Sequence, residues 1–84
     1  MSDQIIMYGT DWCGDCHRAR WFFDNYGIDY TDIDIEANPE AAAKVVAINK
    51  GSRSVPTIIF QDGSVLVEPS IQALKDKMGI TDEE

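Results

Sequence analysis

Positive charge and histidine are scarce in this chain. Its 84 residues hold 7 Lys and Arg against 15 Asp and Glu, for a net charge of −8, and one His. Surfaces that bind nucleic acid or an anionic membrane need clustered cations, so neither partner is expected. The acidity itself speaks to solubility. Long apolar runs are missing too, and no segment approaches the roughly 20 residues of a membrane-spanning helix. The stretch from Met1 to Gly9 has neither the basic region nor the apolar length of a secretion signal, so a cytoplasmic chain is expected. There is no repeat, linker or low-complexity tract. The length fits one domain with a modest core, read as residues 1–80, with 81–84 as a frayed acidic tail.

Cysteine is nearly absent, and its 2 copies both fall in Asp11-Trp12-Cys13-Gly14-Asp15-Cys16-His17. A closed zinc site needs four ligands, and beyond the pair only His17 is left. A metal or cluster shared between two chains stays open as an alternative. A permanent staple is a poor reading, because the cytosol keeps thiols reduced and so short a loop gains little closure entropy. A redox centre remains.

The apolar pattern places that pair. Residues 4–8 read as a short buried strand, with Met7 and Tyr8 in or near the core. Ala19, Phe22, Phe23 and Tyr26 recur at spacings of three and four, giving a helix from Gly14 to Tyr26 that Gly27 stops. Ile33 and Ile35 alternate with Asp32, Asp34 and Glu36, a strand with one wet face. Asn38 and Pro39 open a second helix as N-cap and first turn, with Ala42, Val45 and Val46 inward and Asn49 to Arg53 closing it. Residues 55–60 and 64–68 are strands joined by Gln61-Asp62-Gly63, a hairpin whose central residues are expected to take positive φ. A last helix spans Pro69 to Met78, burying Ile71, Leu74 and Met78, and Gly79 stops it. The order β-α-β-α-β-β-α predicts an α/β fold: a four-stranded mixed sheet with helices on both faces, the thioredoxin-like arrangement.

In that arrangement Cys13 lies where strand hands over to helix. Unpaired N–H groups and the positive end of the helix dipole favour a thiolate there, the form that attacks disulfides. Cys16, one turn on, is expected to be more buried and to resolve the mixed disulfide formed by an accessible Cys13. Gly14 is read as permitting close backbone approach. A cis peptide at Val55–Pro56 would turn the Val55 backbone outward, opposite the cysteines, free to pair with a peptide-like substrate. Trp12 reads as a contact platform or a packed aromatic. His17 is a solvated helix position or a proton carrier for Cys16. Arg18 and Arg20 are local positive potential or plain surface charge. Arg53 is a candidate carboxylate clamp.

The runs "YGTDWCGDC", "NKGSRSVPTIIF" and "FQDGSVLVEPS" resemble the glutaredoxin family, most of all its mycoredoxin-type members, over nearly the whole chain. The resemblance implies a dithiol oxidoreductase that reduces mixed disulfides between proteins and a low-molecular-weight thiol, mycothiol or glutathione. That thiol is co-substrate, and no cofactor is tightly bound. Cys13 would be nucleophile, Cys16 resolver and Pro56 cis. The thiol would be held at Trp12, Arg53, Val55, Pro56 and the last helix start, Pro69-Ser70. Partners would be oxidised or S-thiolated proteins and a reductase system, and the chain would act as a monomer. The alternatives are a thioredoxin-reductase-dependent donor to an enzyme such as ribonucleotide reductase, and a dimeric iron–sulfur or metal carrier. Three residues depart from the family: Thr10 where Lys is usual, Asp15 where Tyr or Phe is usual, and Glu68-Pro69 where glycines are usual. Asp15 sets a charge against the Cys13 thiolate; Thr10 and Glu68-Pro69 weaken the match to glutathione.

Overall fold

The structure, a computed structural model, describes residues 4–81. Its elements are β1 (Ile5–Gly9), α1 (Gly14–Asn25), β2 (Tyr30–Asp34), α2 (Pro39–Ile48), β3 (Thr57–Ile59), β4 (Val65–Val67) and α3 (Ile71–Met78). The sheet order is β2-β1-β3-β4; β1 and β2 are parallel, while β3 runs antiparallel to both β1 and β4. This is the thioredoxin-like fold that the element order predicts.

Strand alternation divides the core. Ile5 and Met7 face the layer where Cys16, Ala19, Phe22 and Phe23 of α1 meet Leu74 of α3 and Ile58 of β3. Tyr8 faces the other way, packing with Ile35 and with Ala41 and Val45 of α2. Helices therefore cover both faces. Full burial of one such large side chain is worth about 1.5–3 kcal/mol, so these few residues carry much of the stability.

Four local readings change. Ala41 joins Val45 as a fully buried position of α2, an i, i+4 pair on one face, while Ala42 packs at the margin of that cluster and Val46 is only half-buried. On α3 only Leu74 is fully buried, with Ile71 and Met78 at the margin. That helix begins at Ile71, not Pro69: the Ser70 hydroxyl accepts from the Ala73 N–H at 3.0 Å and so occupies the N-cap. In the hairpin only Gly63 has positive φ, at 88°. The Gly63 N–H donates to the Phe60 carbonyl and the Phe60 N–H to the Ser64 carbonyl, a three-residue connection that needs one left-handed residue rather than two. The expected stop after α2 holds, and the left-handed residue there is Lys50 (φ 55°), ahead of Gly51. The frayed tail expected at the C-terminus lies outside the described residues beyond an exposed Thr81.

Candidate active site

β1 ends at Gly9, and its parallel pairing with β2 brings the C-terminal ends of both strands together; Ile35 N–H donates to the Gly9 carbonyl at 3.0 Å. The turn that follows delivers Cys13 as the N-cap of α1. Cysteine is an unusual cap, but its sulfur does the job: the Cys16 N–H donates to Cys13 Sγ at 3.1 Å. The same sulfur lies 3.7 Å from the Val55 carbonyl, to which the thiol donates. The Val55–Pro56 peptide is cis, as the sequence reading expects. Both thiols are free.

Burial differs from expectation at one point. Cys13 is only 7% exposed, less open than the sequence suggests, because capping turns its side chain back over the helix end and against Val55. Cys16 is fully covered. Burial, reinforced by its hydrogen bond with Cys13, pushes the Cys16 thiol up to about 12.

Beside Cys13 a cleft is walled by Thr10, Trp12, Ile35, Glu36, Arg53 and Val55. It opens along Ile35, Glu36 and Arg53 onto the flank of α2. Trp12 stands 68% exposed at the rim, which suits a contact platform better than a packed aromatic. Trp12, Arg53 and Val55 are thus brought together, with Pro56 buried behind them. Pro69 and Ser70 do not line this cleft. Ser70 is occupied in capping α3, and Pro69 follows Glu68, whose N–H donates to the Pro56 carbonyl at 2.8 Å. Glu68 takes positive φ (50°), the conformation a glycine would take without strain.

Other sequence candidates resolve in place. His17 Nε2 meets the Asp11 carbonyl at 2.5 Å on the exposed side of α1, which leaves it a helix-surface residue. Arg18 forms an exposed ion pair with Asp15, so the charge set against Cys13 is shared. Arg20 turns inward instead, donating to Asp32 at 2.6 Å and to the Thr10 carbonyl at 3.1 Å. The close approach assigned to Gly14 belongs to Gly9. A Cβ on Gly9 would lie 2.8 Å from Cys16 Sγ, whereas one on Gly14 would meet nothing within 4 Å. Sequence reasoning missed Ile35 and Glu36 as cleft walls. The signal was available, since a βαβ unit sets the C-terminal end of its second strand beside that of its first.

An N-terminal sulfur with an N–H donor and a second thiol one turn away has the parts for disulfide exchange. Among the described residues no group of three or more His, Cys, Asp or Glu is placed to hold a metal ion. None of their helices is long and apolar enough to cross a membrane.

Comparison with known proteins agrees with this geometry. The glutaredoxin family profile matches residues 5–66. A protein of Mycobacterium tuberculosis assigned by name to the glutaredoxins is 42% identical over 74 residues, covering 88% of each chain. Mycoredoxin 1 of Corynebacterium glutamicum is 35% identical over 65 residues, 77% of this chain and 80% of that one. Among solved structures, the glutaredoxin-like NrdH-redoxin of Escherichia coli, described as having a thioredoxin-like activity profile, superposes with a TM-score of 0.66 at 30% identity, over 75% of this chain and 79% of its own. With the cysteine pair capping α1 against a cis proline, and with similarity extending well past that motif, this chain belongs to the glutaredoxin family of thiol–disulfide oxidoreductases.

Proposed function

We propose that the protein reduces mixed disulfides between proteins and a low-molecular-weight thiol, in the cytoplasm and as a monomer. The reading rests on one observation: Cys13 Sγ caps α1 and faces the carbonyl of Val55, which precedes the cis proline and walls the cleft with Arg53 and with Trp12, the chain neighbour of Cys13. Cys13 thiolate attacks the mixed disulfide, taking one sulfur and releasing the other as a thiolate. Cys16 then attacks Cys13, its proton going to solvent as the second thiolate leaves. A reductase system returns the Cys13–Cys16 disulfide to the dithiol.

The cleft's chemistry favours a thiol of the mycothiol type, neutral and rich in hydroxyls, over glutathione with its two carboxylates. Thr10 supplies a hydroxyl in place of the family's usual Lys, and Glu36 lines the same cleft as Arg53. Thr10 Oγ1 is buried beside the cleft with no hydrogen-bond partner, a state that costs about 1–3 kcal/mol until a polar ligand group meets it. The similarity to NrdH-redoxin supports a second reading, a dithiol recharged by thioredoxin reductase that passes electrons to a single enzyme partner.

An electron-supply assay separates the two. Oxidised protein is offered mycothiol with its reductase, glutathione with its reductase, or thioredoxin reductase. Rapid reduction by the mycothiol system is expected, and reduction by thioredoxin reductase alone replaces the first reading with the second. Cys16→Ser is expected to keep removal of the small thiol, through Cys13 alone, and to lose reduction of protein disulfides.

A further inference from the structure

The resolving thiol sets a chemical problem. Cys16 Sγ is wholly enclosed, in a cluster to which β1 gives Ile5 and Met7, β3 gives Ile58 and α3 gives Leu74. An attacking sulfur must shed its proton, and an apolar enclosure opposes the resulting charge. A guanidinium reaches the edge of that enclosure over Gly9. Gly9 has no side chain, and the space above its Cα is bordered by Cys16 Sγ at 2.8 Å and Arg20 Nη2 at 3.4 Å from where a Cβ would sit.

Arg20 is fixed there. Its Nε donates to Asp32 on β2 at 2.6 Å, its Nη2 donates to the Thr10 carbonyl at 3.1 Å, and only 18% of its side chain is exposed. One turn beyond Cys16 on α1, a cation would ordinarily extend into water; this one lies along the strand ends. We propose that Arg20 is a positioning residue for the resolving step, stabilising the negative charge that gathers on Cys16 Sγ as it attacks the Cys13 mixed disulfide. The proposal rests on the dithiol reading above.

The timing favours it. In the free dithiol, Cys13 holds the Cys16 proton in place through its hydrogen bond and its own charge, while a main-chain hydrogen bond from Thr10 and the charge of Arg20 oppose that. Once Cys13 is in a mixed disulfide it carries neither charge nor proton, so both of its effects lapse. Thr10 and Arg20 then act against burial alone. The charged or titratable groups facing Cys16 are Cys13 at the head of α1 and Arg20 on the same helix, with Asp32 of β2 acting through Arg20. The step balances: Cys16 Sγ forms the bond to Cys13 Sγ, the bond from Cys13 to the substrate sulfur breaks, the substrate leaves as a thiolate, and the Cys16 proton passes to water.

Stopped-flow reaction with a symmetrical aryl disulfide that releases a coloured thiolate resolves the two steps. The first burst reports Cys13 attack and the second reports resolution by Cys16. Arg20→Gln is expected to leave the first burst within about twofold and to slow the second about tenfold at neutral pH. Its pH–rate midpoint should move up by about one unit, as loss of a partly screened charge a few ångströms away implies. Arg20→Lys keeps the charge but cannot fork to both Asp32 and Thr10, so it should recover most of the second rate. A second burst unchanged in Arg20→Gln overturns the proposal. So does Arg20→Lys as slow as Arg20→Gln, or an equal slowing of the first burst, since each would make Arg20 a mere anchor of the turn. Wild-type protein with no second burst instead refutes the dithiol reading on which the proposal depends.

Discussion

Two glycines flank the first cysteine and do opposite things. Gly9 is squeezed against a fully buried sulfur, so Gly9→Ala must displace Cys16 Sγ inside a packed core, at a cost of about 1–3 kcal/mol. Gly14→Ala enters open space and should be neutral or slightly stabilising, since alanine is the better helix former. Urea unfolding of the reduced proteins checks the pair; equal midpoints would show that Cys16 yields without cost. The same burial makes stability depend on alkaline pH. The folded Cys16 thiol is pushed up to about 12 from an ordinary 9.0, so the unfolded chain ionises first. Stability is intact below about pH 9 and falls as pH rises toward 12, by at most about 1.4 kcal/mol per unit from this proton. Tyr30, also raised by burial, contributes in the same direction, so the readout is a difference. The wild-type melting temperature should drop more steeply above pH 9 than that of Cys16→Ala, and parallel curves would contradict the assignment.

At the level of elements, all three helices end in the same way. After α1 and α3 a glycine, Gly27 or Gly79, takes the left-handed conformation, while the next residue's N–H reaches back to Phe23 or Lys75. After α2 the Gly51 N–H reaches Val46 in the same pattern, but the left-handed residue is Lys50, whose Cβ is disfavoured there. Lys50→Gly should therefore stabilise by about 0.5–1 kcal/mol, net of the extra freedom glycine gives the unfolded chain. For a domain of this size that is a rise of a few degrees in Tm, read by calorimetry. A loss of stability would mean that the Lys50 side chain makes a contact worth more than the strain. The element order was legible because 3.6- and 2-residue periods are written into side-chain spacing. The stop after α2 was legible too, but not which residue there turns left-handed: it is Lys50, because the Gly51 N–H is the one that reaches Val46. The cysteine pair was legible from the strand-to-helix handover around it rather than from its spacing alone, and the cis proline from the family pattern around it. Glu36 and Ile35 were missed although the βαβ unit implied them, because they join the cleft only through strand pairing, far along the chain from Cys13.

For the molecule as a whole, a local cation and a global anion compete. Arg53 lines the cleft beside Cys13, while the chain carries a net charge of −8. Contact chemistry is decided by the near charge, but diffusional approach is decided by the summed field, which reaches about 10 Å at moderate salt. An anionic disulfide, such as one carrying glutathione's carboxylates, therefore meets repulsion before it meets Arg53. A neutral hydroxylated disulfide meets none. Raising ionic strength from about 0.01 to 0.15 M shortens the screening length roughly fourfold. The second-order rate with an anionic low-molecular-weight disulfide should then rise, by about two- to threefold, because screening removes repulsion between like charges. With a neutral dihydroxy disulfide the rate should stay flat, and with a basic protein disulfide it should fall. Arg53→Gln should lower the anionic rate at every salt concentration while steepening its rise, since the remaining field is more negative. Stopped-flow rates across that range decide the matter. An anionic rate that falls with salt would show that Arg53 dominates even at a distance, and that the cleft is built for carboxylates after all.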